Sequence, residues 1–166
     1  MSEQDPASAA ARLAASFGFE PVDPAEKAPK VRGVFERVAS RYDLMNDLMS
    51  AGVHRLWKEA LIDWLMPRPG MHLLDLAGGT GDVALRLLAR LDGRARVTIV
   101  DANPAMVAVG RDRALDAGWL AELDWVVGDA ERLPFADAAF DVVAAITVLY
   151  CVADDQAALD ELARVV

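Results

Sequence analysis

Asp75, Gly78, Gly79, Gly81 and Asp101 are residue types whose order along the chain can hold a nucleotide. In Leu73-Leu74-Asp75-Leu76-Ala77-Gly78-Gly79-Thr80-Gly81-Asp82 an apolar run ends in a glycine cluster, and a helical pattern follows at once. The glycines let the backbone bend sharply and approach a ligand that a Cβ would push away. Thr80 and Asp82 are placed to cap the next helix. Asp101 follows Gly81 by 20 residues, the spacing at which an acid after a second strand accepts hydrogen bonds from ribose hydroxyls. Gly79-Thr80-Gly81-Asp82-Val83-Ala84 also fits the dinucleotide fingerprint, so the glycines alone leave two kinds of nucleotide cofactor open. Asp75 argues against a nicotinamide dinucleotide: an acid inside the strand end takes an ammonium and repels a pyrophosphate. Asp129 is placed to accept a bond from an adenine amino group.

These residues need a scaffold that gathers them. Val83, Ala84, Leu87, Leu88 and Leu91 form the buried face of a helix, and Asp92-Gly93 turns the chain. Ala95–Val100 reads as a second strand, Asn103-Pro104 starts a helix that Gly118 stops, and Leu123–Val127 is a third strand. Phe140–Thr147 reads as a fourth strand, and Asp154-Asp155 caps a last helix. Strands alternating with helices predict a parallel sheet with right-handed crossovers. Ligands in such sheets sit at the carboxyl ends of the strands, where Asp75, Gly79, Asp101, Asp129 and Thr147 all fall.

About seventy residues precede the glycine motif. Residues 1–30 hold Pro6, Pro21, Pro24 and Pro29 and read as a mobile arm, with a short helix over Ala7–Ala15 and an anchor at Gly18-Phe19. Val31, Val34, Phe35, Val38, Tyr42, Met45 and Met49 recur at helical spacing; Ser50-Ala51-Gly52 breaks the pattern. A second helix carries Leu56, Trp57, Ala60, Leu61, Trp64 and Leu65, with both tryptophans expected in the core. Residues 31–69 thus read as a helical lid and 70–166 as the nucleotide-binding domain.

Several of these blocks carry a family resemblance. Asp75-Leu-Ala-Gly-Gly-Thr-Gly-Asp82 resembles motif I of the class I S-adenosylmethionine methyltransferases. Val31–Lys58, reading VRGVFERVASRYDLMNDLMSAGVHRLWK, resembles the signature of the menaquinone/ubiquinone biosynthesis C-methyltransferase family. Glu26-Lys27-Ala28-Pro29, Val107-Gly110-Arg111 and Asp129-Ala-Glu-Arg-Leu-Pro-Phe135 agree with it. The resemblance implies an α/β fold, a Rossmann-like class I methyltransferase sheet with an N-terminal helical lid. It implies S-adenosyl-L-methionine as cofactor and a polyprenyl hydroquinone, methylated on a ring carbon, as substrate. Thr80, Asp101, Asp129 and Ala130 match the family's cofactor-contact positions, and Asp75 is a motif I position of the wider class.

Ring methylation needs the phenol deprotonated and a ring proton removed. Tyr42, Asp43 and His54 are the candidates in the lid, each with a plainer reading: an apolar-face aromatic, a solvated acid and a structural histidine. Leu44, Met45, Leu48 and Met49 offer a path for a polyprenyl tail or a contact with a membrane surface; packing on the sheet is the favoured reading. Cys151 is expected as a small buried hydrophobe. Peripheral contact with the inner membrane and self-association stay open, and no metal is expected.

Bulk properties narrow the class. The chain has 166 residues, 54% of them hydrophobic, enough for one domain with a real core. A net charge of −9 with no basic cluster disfavours nucleic acid. No apolar run is long enough to span a bilayer. One cysteine makes a reducing cytoplasm the default. After Thr147 the pattern departs from the family: Val148-Leu149-Tyr150-Cys151-Val152-Ala153-Asp154 lacks the family's arginine, and Leu149 stands at a cofactor-contact position. The chain stops at Arg164-Val165-Val166, with about four of the family's seven strands, so a cut-short or divergent chain with an exposed fourth strand is expected. The alternatives are a methyltransferase of another small molecule, a nicotinamide-dependent oxidoreductase, and an inactive cofactor-binding fragment.

Overall fold

The computed structural model describes residues 16–17 and 20–166. Ser16–Phe17 (β1) and Glu20–Pro21 (β2) pair antiparallel. Three helices follow: Pro24–Val38 (α1), Tyr42–Ser50 (α2) and Val53–Leu65 (α3). Then come His72–Leu76 (β3), Asp82–Leu91 (α4), Arg96–Asp101 (β4), Pro104–Ala117 (α5), Leu123–Val127 (β5), Val142–Ala145 (β6) and Asp155–Val165 (α6). The four later strands form one parallel sheet in the order β5-β4-β3-β6. The chain moves outward from β3 through β4 to β5, then returns across the sheet to β6. That reversal opens a crevice at the carboxyl end of β3.

The strands are covered on both faces, and their side chains alternate accordingly. Leu73, Val97 and Ile99 pack with Val83, Leu87 and Leu88 of α4 on one face. Leu74, Leu76 and Val100 pack with Leu133, Phe140 and Val165 on the other. Asp75 shares the parity of Leu73, so its carboxylate lies on the α4 side of the sheet. Asn103 caps α5 by accepting from Ala105 N, with Pro104 at the first helical position; Asp154 caps α6 through Gln156 N and Ala157 N. Asn103→Ala is expected to cost about 1 kcal/mol, and Asn103→Ser to keep most of it, read from urea midpoints. Equal midpoints for the two variants would contradict the cap.

Several expectations are corrected. The pattern over 31–49 is two helices, divided by a 3-10 turn at Ala39–Arg41. α1 begins at Pro24, inside the stretch read as an arm, because the first helical position needs no N–H. Ala7–Ala15 and Gly18-Phe19 lie outside the described residues. The fourth strand is shortened to Val142–Ala145, and Thr147 leaves it with a left-handed φ of 59°. Among the described residues β6 pairs only with β3 and is a sheet edge.

Trp57 and Trp64 are not core residues. They are 43% and 81% exposed, whereas His54 and Ile62 are the buried residues of α3. α3 packs one-sidedly on α4, so only the stripe around His54, Lys58, Leu61, Ile62 and Leu65 turns inward. Leu44, Leu48 and Met49 do not pack on the sheet; all are well exposed, and Met45 alone of that group is half-buried. Cys151 is half-buried, with its Sγ 3.7 Å from Thr147 O. No described helix is long and apolar enough to cross a membrane.

Candidate functional site

A cavity of about 320 Å³ opens at the carboxyl ends of β3 and β4, lined on its other side by α1, α2 and α3. That is a size suited to a small ligand. Its floor comes from Asp75, Gly78, Gly79, Thr80 and Asp101; Tyr42, His54, Trp57 and Lys58 close it from α2 and α3. Ile146, Thr147 and Cys151 supply the far wall beyond β6. Ala77 and Thr147, both on the wall, hold left-handed backbone without being glycine, strain of a kind found at functional sites.

Asp75 is the chemical centre of the floor. It is 2% exposed, and its Oδ2 has no hydrogen-bond partner among the described residues. Burial pushes its carboxyl up to about 7, against the opposing pull of the Ala84 N–H and the Lys58 ammonium. The close fit depends on Gly78, where a Cβ would stand 2.7 Å from Asp75 Cγ and 2.9 Å from Ile99. Asp101 sits at the end of β4. Its Oδ2 accepts from Gly79 N at 2.9 Å and its Oδ1 from Asn103 N at 2.8 Å, which orients the carboxylate. Burial raises its carboxyl too, and those two amide bonds counter the rise.

Thr80 is buried, and its hydroxyl accepts from Arg113 of α5 at 2.7 Å. Neither Thr80 nor Asp82 caps α4. Gly81 is the N-cap with no side-chain bond, and Asp82 instead meets Lys58 at 2.7 Å and Arg86 at 3.2 Å. Burial alone would raise Asp82, but Lys58 and Arg86 outweigh it and hold its carboxyl below the usual range. Glu59 and Asp63 of α3 add pairs to Arg86 and Arg90, so α3 is tied to α4 by charge.

The predicted site residues therefore divide. Tyr42, His54, Asp75, Gly79, Thr80 and Asp101 line one cavity. Gly81 does not: at a φ of 73°, a Cβ there would lie 2.8 Å from the Trp125 ring, so it serves packing. Asp129 and Ala130 are also outside the lining. Asp129 is exposed and accepts from Glu131 N, and Ala130 packs against the core cluster behind β3. Their loop still starts beside the site, since Gly128 N donates to Asp101 O at 3.1 Å. The Asp43 side chain lies outside the described residues. Lys58 was not singled out by sequence reasoning, although it falls one helical turn after His54 and therefore on the same face.

A sequence model of the ubiE/COQ5 methyltransferase family matches residues 24–166. The chain belongs to this family. Among curated relatives, the ubiquinone/menaquinone biosynthesis C-methyltransferase UbiE of Roseobacter denitrificans is 53% identical over 149 residues, covering 90% of this chain and 59% of the relative. The protein of the same name from Paracoccus denitrificans is 61% identical over 126 residues, 75% of this chain and 50% of the relative. This member thus spans between half and three fifths of the length of those relatives. The fold has solved counterparts. One is a SAM-dependent methyltransferase from Geobacter sulfurreducens in complex with S-adenosyl-L-homocysteine, at a TM-score of 0.55 and 23% identity, covering 64% of this chain and 42% of that one.

Proposed function

We propose that this chain carries the cofactor-binding part of an S-adenosyl-L-methionine-dependent C-methyltransferase acting on a polyprenyl hydroquinone, a demethylmenaquinol or 2-polyprenyl-6-methoxy-1,4-benzoquinol. The observation that carries the reading is the buried Oδ2 of Asp75, without a partner among the described residues, at the floor of a cavity that Asp101 also lines. An amino-acid ammonium satisfies that oxygen, and a pyrophosphate does not. The names of the relatives support the choice of acceptor.

In this reading Asp75 takes the ammonium of the cofactor and Asp101 its ribose hydroxyls. Gly79 and Thr80 carry the backbone past it, and the loop at Asp129-Ala130 takes the adenine. The cofactor supplies an electrophilic methyl group. The chain's share is placement of the ring carbon in line with that methyl group, which accounts for much of such a rate. Tyr42 and His54 face the cavity from the lid side, where the phenol proton must be taken up. The helices of residues 31–69 act as the lid. The exposed apolar side chains of α2 and α3, from Leu44 to Trp64, suit a lipid substrate drawn from the inner membrane.

Calorimetry tests the cofactor. S-adenosylhomocysteine is expected to bind and NAD not to; the reverse would replace this reading with an oxidoreductase. Asp101→Ala is expected to weaken binding of the homocysteine compound by roughly tenfold or more, the loss of hydrogen bonds to a charged acceptor. Unchanged affinity would move the ribose elsewhere. Methyl transfer to a short-chain demethylmenaquinol tests the acceptor.

A further inference from the structure

His54 is 9% exposed and lines the cavity, and its ring is held by the end of the preceding helix. Ser50 Oγ lies 2.7 Å from the carbonyl oxygen of Asn46 and 2.9 Å from His54 Nδ1. The His54 backbone N–H also points at Ser50 Oγ, at 3.3 Å. A hydroxyl has a single proton to give. The Asn46 carbonyl can only accept, so at 2.7 Å it takes that proton. Ser50 Oγ is then an acceptor toward His54, and Nδ1 must carry the ring proton. In the neutral ring this leaves the lone pair on Nε2.

Nε2 in turn faces a negative group. Asp47 Oδ1 of α2 lies 3.7 Å away, and Asp47 is held by Arg55 at 2.8 and 2.5 Å. Lys58 of α3 and Asp82 of α4, which line the same cavity, are paired with each other. A lone pair beside a carboxylate is repelled by it, and a proton arriving on that nitrogen is attracted.

We propose that Ser50 is a positioning residue that pins His54 as the Nδ1–H tautomer, so that Nε2 is the atom that takes the phenol proton of the substrate. This rests on the hydroquinone reading above. In the step, the phenol O–H bond breaks, its electron pair stays on oxygen, and the N–H bond forms at Nε2. The resulting imidazolium donates to Ser50 on one side and faces Asp47 on the other. It returns the proton to solvent after turnover.

The chain has two histidines, so a long-range 15N–1H spectrum contains two imidazoles, and His54→Gln assigns them. In the neutral ring of His54, Nδ1 is expected to read protonated and Nε2 bare, the reverse of the preference of free histidine. Ser50→Ala is expected to return the ring to Nε2–H, and Ser50→Thr to keep Nδ1–H. With S-adenosylmethionine and a short-chain demethylmenaquinol, His54→Gln is expected to lower kcat on the order of 100-fold. Ser50→Ala should lower it about tenfold, with KM for the cofactor unchanged and Ser50→Thr restoring the rate. An Nε2–H ring in the unsubstituted chain overturns the proposal. So does a Ser50→Ala chain that loses the Nδ1 proton yet keeps full turnover; a slow His54→Gln chain beside it would leave His54 standing as the proton acceptor without Ser50. Full turnover in His54→Gln removes His54 as the proton acceptor, and the proposal with it, while leaving the hydroquinone reading standing; no methyl transfer by the unsubstituted chain removes the hydroquinone reading itself.

Discussion

Asp75→Asn is expected to make the chain more stable than the unsubstituted one at pH 8 and no more stable at pH 4. The carboxyl of Asp75 stands at about 7 in the folded chain, raised by burial from an ordinary value of 3.8. A raised carboxyl means the folded state binds the proton more tightly than the unfolded state. Its contribution is fully present below about pH 4, is lost as pH rises through about 7, and stays lost beyond. A shift of this size corresponds to a penalty of roughly 4 kcal/mol at pH 8, as an upper bound. Asparagine has no proton to lose and escapes it. Melting temperatures across pH 4 to 8 check the point, and a difference that does not grow with pH would contradict it.

The same substitution is expected to weaken S-adenosylhomocysteine binding by at least tenfold, because a charged partner of the ligand ammonium is gone. Binding to the unsubstituted chain at pH 6 should release close to one proton, since an ammonium at Oδ2 favours the ionised acid. Calorimetry in two buffers of different ionisation enthalpy counts that proton. Stability and binding would then move in opposite directions, as expected of a group retained for its ligand at the fold's expense.

The second large effect lies behind the cavity. Gly110→Ala is expected to destabilise the chain by about 3 kcal/mol, although alanine is ordinarily the better helix former by about 1 kcal/mol. Gly110 is buried on α5, and a Cβ there would lie 2.3 Å from Trp125 Cη2 and 3.1 Å from the backbone carbon of Thr80. A Cβ at Gly81 would meet the same ring at 2.8 Å, so the tip of the indole is in close contact with both the glycine loop and α5. Pushing it aside shifts Thr80, and cofactor affinity should fall with stability. Trp125→Phe removes the outer ring atoms and is expected to rescue part of the loss in Gly110→Ala while destabilising the chain by itself. Thermal unfolding of the two single variants and the double variant forms the cycle. Additive effects would mean the clash is not with Trp125.

Much of this fold is local physics. Asn103 and Asp154 cap their helices through their own side chains, and α5 stops at Gly118 with a φ of 79°. Leu123–Val127 is the strand its pattern predicts, and the spacing of Asp75 and Asp101 carries both acids to one sheet edge. Each of these signals acts within a few residues or follows from the obligatory handedness of strand–helix–strand units.

Tertiary structure decided the remainder. α3 has two apolar stripes of helical spacing, and only contact with α4 selects the one that carries His54 and Ile62 rather than Trp57 and Trp64. Gly81 belongs to the glycine motif in sequence, yet its role depends on an indole from a strand more than forty residues later. Asp82 reads as a cap until Lys58 and Arg86 reach it from two helices. Sequence by itself determined the order of strands and helices from β3 onward, the glycine turn and the two acids, Asp75 and Asp101, that line the cavity, because caps, turns and periodicity are short-range. Only the packed chain decided which of those groups are buried, partnered or left with an unsatisfied oxygen, because burial and partners come from elements distant in sequence.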